Sequence, residues 1–271
     1  MRVTISRLAA LACAGLGLAG AVFPLAAQGA EWPDGKRAAI ALTYDDAIAS
    51  QLDIAIPQLD AAGLKGTFFV SRLYTPEAVR RWRAVAEAGH ELGNHSLNHP
   101  CNRGAFEMPA QYNNENYSVE TMLTEIGAMN ALLFAMDGKT RRAYATPCGH
   151  TIVGGEDYMD ALRKSGLVTA VRDAGGPQPA AFDPFNVSSR FFPETVTGAE
   201  LIAYVEGVKE EGGLGVMGFH GVGGDYLIVT EEAHQQLVSY LRAHEDEIWV
   251  APFGDIVDYL AQAKPAKRGQ E

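Results

Sequence analysis

Short apolar runs alternating with segments of helical period constrain this chain more than any other feature. Ala38–Thr43, Gly66–Val70, Glu91–Asn94, Ala143–Thr146, Leu167–Val171, Leu214–Phe219 and Ile248–Ala251 read as strands, with a weaker one at Asn186–Arg190. Between them, helices are predicted over Ser50–Ala62, from Thr75 to Ala88, from Ser118 to about Met136, and over Asp157–Lys164, Gly198–Lys209, Glu231–Arg242 and Phe253–Ala263. Thr75 followed by Pro76 is a start signal, an N-cap and then a first helical residue with no N–H to satisfy. Strands alternating with helices imply βα units on a parallel sheet. About seven such units fit a distorted (β/α) barrel better than an open sheet, and 271 residues with 47% apolar content suffice for one large core.

The first segment stands outside that pattern. Arg2 and Arg7 precede an uncharged Ala/Leu/Gly-rich run from Leu8 to about Ala27, closed by Ala27-Gln28-Gly29. This is the form of an export signal cut near Gly29, with a retained membrane anchor as the alternative. Residues 1–29 are therefore expected to be a leader and 30–271 the domain, exported to a periplasmic or secreted location. No other hydrophobic run reads as long enough to span a bilayer, so no stable membrane insertion is expected after cleavage. Cys101 and Cys148 would then remain where disulfides can form. A net charge of −11 argues against a nucleic-acid partner.

The chemistry gathers at strand ends. His95 and His99 follow the third strand, and on a helical turn positions i and i+4 share a face, so both imidazoles could reach one metal ion. Asp45-Asp46 closes the first strand. Two imidazoles and one carboxylate are a usual ligand set for catalytic zinc, leaving the other carboxylate free to handle a proton. Taken singly, the acidic pair is also a common turn or N-cap, and the histidines could be surface residues. His220 ends the sixth of the clear strands; a hydrogen-bonded histidine in a Gly-rich loop is its alternative. His90 reads as structural, His234 and His244 as helix-surface residues, and His150 stays open.

Thr43-Tyr44-Asp45-Asp46, then His95-Ser96-Leu97-Asn98-His99, then His220 together resemble the polysaccharide deacetylase family, the NodB-homology group or carbohydrate esterase family four. The likeness runs from about Lys36 to Ala263. It implies a distorted (β/α) barrel that removes N- or O-acetyl groups from an acetylated glycan of chitin, peptidoglycan or xylan type, using one divalent metal ion, zinc. By resemblance Asp46, His95 and His99 hold the metal, Asp45 is the general base and His220 the general acid. The Pro147-Cys148-Gly149 turn would offer its N–H to the oxyanion. A small-molecule amidase on the same scaffold, or a carbohydrate-binding protein that has lost catalysis, are the alternatives.

The chain departs from that pattern in places. Where the family's third motif has an arginine and a tyrosine, Ala145 and Cys148 stand, which leaves the base without its cation; Arg172 is the candidate replacement, a surface charge being its other reading. The fourth motif's Asp-Trp pair is absent. Cys101 and Cys148 would share the barrel face that carries the site, where a disulfide could fasten the polar 100–117 loop beside the oxyanion turn; two unpaired thiols are equally compatible with the sequence.

Overall fold

The computed structural model describes residues 31–173 and 182–262. The expected leader, most of the Gly175–Pro184 loop and the polar tail from Lys264 lie outside the described residues.

In chain order the elements are β1 (Ala38–Asp45), α1 (Ile56–Ala61), β2 (Thr67–Val70), α2 (Pro76–Glu87), β3 (Glu91–Asn94), α3 (Val119–Asp137) and β4 (Ala143–Ala145). A hairpin follows, β5 (Ile152–Val153) with β6 (Glu156–Asp157), then α4 (Met159–Ser165), β7 (Ala170–Arg172) and β8 (Arg190–Phe191). The chain continues through α5 (Gly198–Glu211), β9 (Leu214–Phe219), α6 (Glu231–Ala243), β10 (Ile248–Val250) and α7 (Phe253–Gln262). The sheet curls in the order β7-β4-β3-β2-β1-β9-β8, and its pairings are parallel. β10 pairs with the first half of β1 and β2 with its second half, so both lie along one edge of β1 while β9 occupies the other. The stretch 184–191 joins the two ends of the sheet. Val171 and Asp173 donate to Pro184 O and Val187 O, and Arg190 and Phe191 then pair with β9. This is the expected distorted barrel.

The two faces of β1 explain where the site must be. All eight of its residues are buried, as in a parallel strand covered on both sides. Ile40, Leu42 and Tyr44 point to the helices, with the Tyr44 ring 4.7 Å from that of Phe68 and 5.4 Å from that of Phe219. Ala39 and Ala41 point inward, where small side chains leave room for Phe69 and for Phe253, Ile256 and Val257 of α7. The period of two then puts Thr43 and Asp45 on the inner face, at the mouth of the barrel.

The helices begin where their caps put them. The side chains of Thr75, Ser118 and Thr230 accept from the N–H three residues on, and Thr197 with Glu200 forms a reciprocal capping box. The helix expected over Ser50–Ala62 instead opens as a π-turn over Gln51–Ala55, with Ile56 N–H bonded to Gln51 O. Pro57 has no N–H to return to Asp53, which favours the wider turn. The strand expected at Leu167–Val171 is shifted to Ala170–Arg172, and the weak strand at Asn186–Arg190 is a single bridge at Val187 followed by β8. α3 corrects one further reading. It is long and apolar enough to cross a bilayer by composition, yet it packs in the protein through Met122, Ile126, Met129, Leu133 and Met136.

Candidate active site

At the C-terminal ends of the strands a cavity of about 700 Å³ is lined by Asp45, Asp46, Arg72, His95, His99, Cys148, Arg172, Asp173 and His220, among others. The expected site residues therefore come together on one face, as strand-end residues of such barrels do. Ten non-glycine residues among those described have positive φ, and six of them line this cavity: Asp46, Arg72, His99, Cys148, Asp173 and Leu227. Such backbone is held at a cost of about 1–3 kcal/mol each, and it concentrates where side chains must be aimed.

The two histidines do not lie on a helical turn. Ser96 and His99 are left-handed, with φ of 59° and 55°. Local polar side chains replace the helical bonds: Asn94 Oδ1 accepts from Ser96 N–H at 2.7 Å and Ser96 Oγ accepts from His99 N–H at 2.9 Å. Glu125 of α3 accepts from both Asn98 N–H and its side-chain amide. The loop nevertheless brings the two Nε2 atoms to 3.1 Å.

Those atoms and one carboxylate oxygen of Asp46 face one another within a few ångströms. Buried His95 pairs its Nδ1 with Ala145 O at 2.9 Å; donating there leaves a lone pair on Nε2. Cys101 Sγ lies 3.6 Å from His99 Nδ1. Burial first, then His95, pushes the His99 imidazole down to about 3, so that ring is neutral. Asp46 Oδ1, buried and without a hydrogen-bond partner, stands 3.2 Å from His99 Nε2 and 3.7 Å from His95 Nε2. Burial alone would raise the Asp46 carboxyl, but His99 and His95 outweigh it and hold it low. When both Nε2 atoms are unprotonated, these are three acceptors facing one another, an arrangement that a cation among them relieves. Bonds of about 2.0–2.2 Å in a tetrahedron separate donors by roughly 3.3 Å, so the observed spacings fit a small divalent ion. Tyr226 donates to the other oxygen of Asp46 at 2.8 Å and fixes its orientation.

Asp45 is held differently. Arg172 donates through Nη1 to Oδ1 at 2.9 Å and through Nη2 to Oδ2 at 2.5 Å, with Thr43 Oγ1 also accepting from Nη1 at 2.8 Å. Asp173 accepts from Arg172 Nε at 3.1 Å, and the guanidinium lies 4.6 Å from the Phe69 ring centre and 5.2 Å from that of Phe191. Gly93 makes this possible, because a Cβ there would stand 2.4 Å from the Phe69 ring. Burial would raise the Asp45 carboxyl, but Arg172 and His95 bring it down to about 2. A carboxyl depressed in the folded state stabilises above its unfolded value of about 3.9, and that contribution is lost as pH falls through about 2. Arg172→Met leaves the carboxylate buried without its cation. It should destabilise the protein by about 3–5 kcal/mol in urea unfolding at neutral pH, with the deficit shrinking as the pH is lowered towards about 2. An equal midpoint for both proteins at neutral pH would contradict this.

His220 follows β9, with its Nε2 3.9 Å from Asp46 Oδ2 and its ring between those of Phe191 and Tyr226, at 5.2 and 6.1 Å. Among the described residues no hydrogen bond reaches its ring. Its main chain is tied instead: Gln51 Nε2 donates to both Asp45 O, at 2.5 Å, and His220 O, at 3.1 Å, joining the ends of β1 and β9. Cys148 and Cys101 are bonded to each other, with Cα atoms 5.9 Å apart, fastening the 100–117 segment to the turn after β4. Closing a loop of 47 residues contributes about 4 kcal/mol in the chain-entropy picture. In that turn the Gly149 and His150 N–H groups go to Thr146 O and Pro147 O, and Cys148 stands at the cavity wall with φ 55°.

Against known families, the polysaccharide deacetylase model matches residues 33–170, just over half of the chain. The chain belongs to the polysaccharide deacetylase family.

Solved structures agree on the fold. A polysaccharide deacetylase from Mycobacterium smegmatis superposes with a TM-score of 0.58 at 19% identity, covering 92% of this chain and 99% of that one. A family 4 acetyl xylan esterase from Clostridium thermocellum, solved with a cobalt ion, gives 0.55 at 19% identity over 82% and 91%. A gellan lyase from Bacillus sp is 24% identical in an alignment of length 259 that covers 89% of this chain. The chain spans only 10% of the length of that curated relative. At these identities the likeness is one of fold.

Several residues of this site escape a reading of the sequence. Tyr226, Arg72, Asp173 and Gln51 are isolated polar residues in loops or a first helical turn, with no periodicity to mark them. His234 was legible and is corrected here. Expected on the surface of α6, it is fully buried, with Tyr44 Oη 2.7 Å from Nε2 and Gln58 Oε1 2.6 Å from Nδ1. It shares the helix face of Leu237, Val238 and Leu241, three, four and seven residues on. His90 is buried and bonded to Gly66 N–H, as a structural histidine should be. His150 accepts from Asn102 N–H at 3.3 Å, beside the disulfide-linked segment.

Proposed function

We propose that this family member is an exported, metal-dependent hydrolase that removes N- or O-acetyl groups from an acetylated glycan. The observation that carries the reading is the division of labour between neighbouring carboxylates. Asp45 is clamped by Arg172 in an ionised state, while Asp46 turns an oxygen without a hydrogen-bond partner towards two imidazole Nε2 atoms in the same cavity.

Asp46, His95 and His99 would hold one divalent ion, zinc in our reading. Bound there, it supplies Lewis acidity, polarising the acetyl carbonyl and lowering the pKa of water. Asp45 takes the proton of the attacking water, and Arg172 keeps the carboxylate aligned and unprotonated until that moment. The Cys148 N–H stabilises the oxyanion of the tetrahedral intermediate. His220, at the end of β9 beside β1, gives a proton to the departing amine or alcohol. The disulfide fixes the oxyanion turn against the loop that carries His99.

Product analysis tests the reaction class. Purified protein incubated with acetylated chitin-, peptidoglycan- and xylan-type oligosaccharides should release acetate from at least one of them, leaving a free amine or hydroxyl and an unchanged chain length by mass spectrometry. Shortened chains without acetate would overturn the proposal.

A further inference from the structure

Arg72 follows β2 and lines the cavity from a left-handed backbone, φ 54°, held by its N–H to Leu97 O at 2.9 Å. The proposed reaction has no use for it. Its guanidinium makes no hydrogen bond among the described residues, and its one ion pair is with Asp46 Oδ1 at 3.6 Å, its side chain remaining 36% exposed. The other guanidinium of the cavity, Arg172, is already committed to Asp45 and Asp173.

The charge of the site follows from this. Three carboxylates (Asp45, Asp46, Asp173) and two guanidiniums line the cavity. With a dication on Asp46, His95 and His99, the cavity carries an excess positive charge in a chain of net charge −11. Asp46 would then be shared between the dication and Arg72, whose 3.6 Å contact to it is longer than a hydrogen bond and leaves the Arg72 fork able to take a second anionic group. An arginine fork of that kind is matched by a carboxylate or another anionic oxygen group.

We infer that Arg72 is a specificity residue selecting glycans that carry an anionic group, in the first place a uronate carboxylate, near the acetylated position. This rests on the deacetylase reading and narrows its substrate class. A charge-assisted contact of this type is worth tenfold or more in discrimination.

The test compares one acetylated uronate oligosaccharide as the free acid and as its methyl ester, which removes the charge and keeps the sugar. For the wild-type protein, kcat/KM should favour the acid about tenfold or more, chiefly through KM, and the preference should shrink with added salt. Arg72→Gln should bring the acid-to-ester ratio close to one, while Arg72→Lys, which keeps the charge and the backbone demands, should retain part of it. A ratio that is the same in wild type and Arg72→Gln overturns the inference. A sulfated oligosaccharide run alongside shows whether the site reads any anion or carboxylates in particular. Equilibrium binding of the deacetylated acid and ester separates the two levels of the argument. If no acetate is released from either form, yet the acid binds tighter than the ester and loses that advantage in Arg72→Gln, the deacetylase reading fails and the Arg72 inference stands. Equal dissociation constants for acid and ester overturn it.

Discussion

Asp45→Asn should lower kcat for acetate release by a factor of about 10² to 10⁴, the usual worth of a positioned general base. The substitution keeps the shape of the side chain and removes the only carboxylate that Arg172 clamps with both Nη atoms. Asp173 and the faces of Phe69 and Phe191 still surround the guanidinium, so the fold should survive with reduced stability. Asp46, His95 and His99 are untouched, and the variant should still bind one divalent ion per chain, as measured by elemental analysis of the dialysed protein. Activity within a few-fold of wild type would show that Asp45 is not the base.

The neighbouring substitution should fail in the opposite way. Asp46→Ala removes the carboxylate oxygen of the donor set that has no hydrogen-bond partner, leaving two imidazole Nε2 atoms 3.1 Å apart and a tyrosine hydroxyl without its acceptor. Two imidazoles alone are a poor cage for zinc. We expect the ion to be lost and activity with it, the fall being at least as large as for Asp45→Asn. The contrast is the informative result. One variant keeps the ion and loses the chemistry, whereas the other loses both, although the residues are adjacent in the chain. If Asp46→Ala retained a tightly bound ion, the donor set would have to be drawn elsewhere in the cavity.

The fold was legible where a single physical cause dominated. β1 is eight buried residues in a row, and its period of two delivers Asp45 to the interior whatever the rest of the chain does. The Thr75-Pro76 start signal, and the helix starts expected at Ser118 and Gly198, lie within a residue of the observed ones. The cation for Asp45 could be sought because the family resemblance implies one where Ala145 stands, and Arg172 is the charge at a nearby strand end. The strand carrying it was nonetheless misplaced, since Leu167 and Val168 look as strand-like as Ala170 and Val171. The spacing of His95 and His99 alone suits a helical turn in the loop after β3. What decides its shape is Asn94, Ser96 and Asn98 bonding to nearby main chain and to Glu125, a pattern that only becomes visible once α3 is packed beside it. Tyr226 and Arg72 reach the site from loops on different sides of the barrel, and no local signal announces such residues.

Acetate release before and after removal of the bound ion tests the central claim most directly. Wild-type protein is assayed on the responsive glycan, stripped with a chelator until elemental analysis finds no metal, and assayed again with and without zinc. The account predicts that activity disappears with the ion and returns as zinc is added back, saturating at one equivalent per chain. Undiminished acetate release by the fully stripped protein would contradict it.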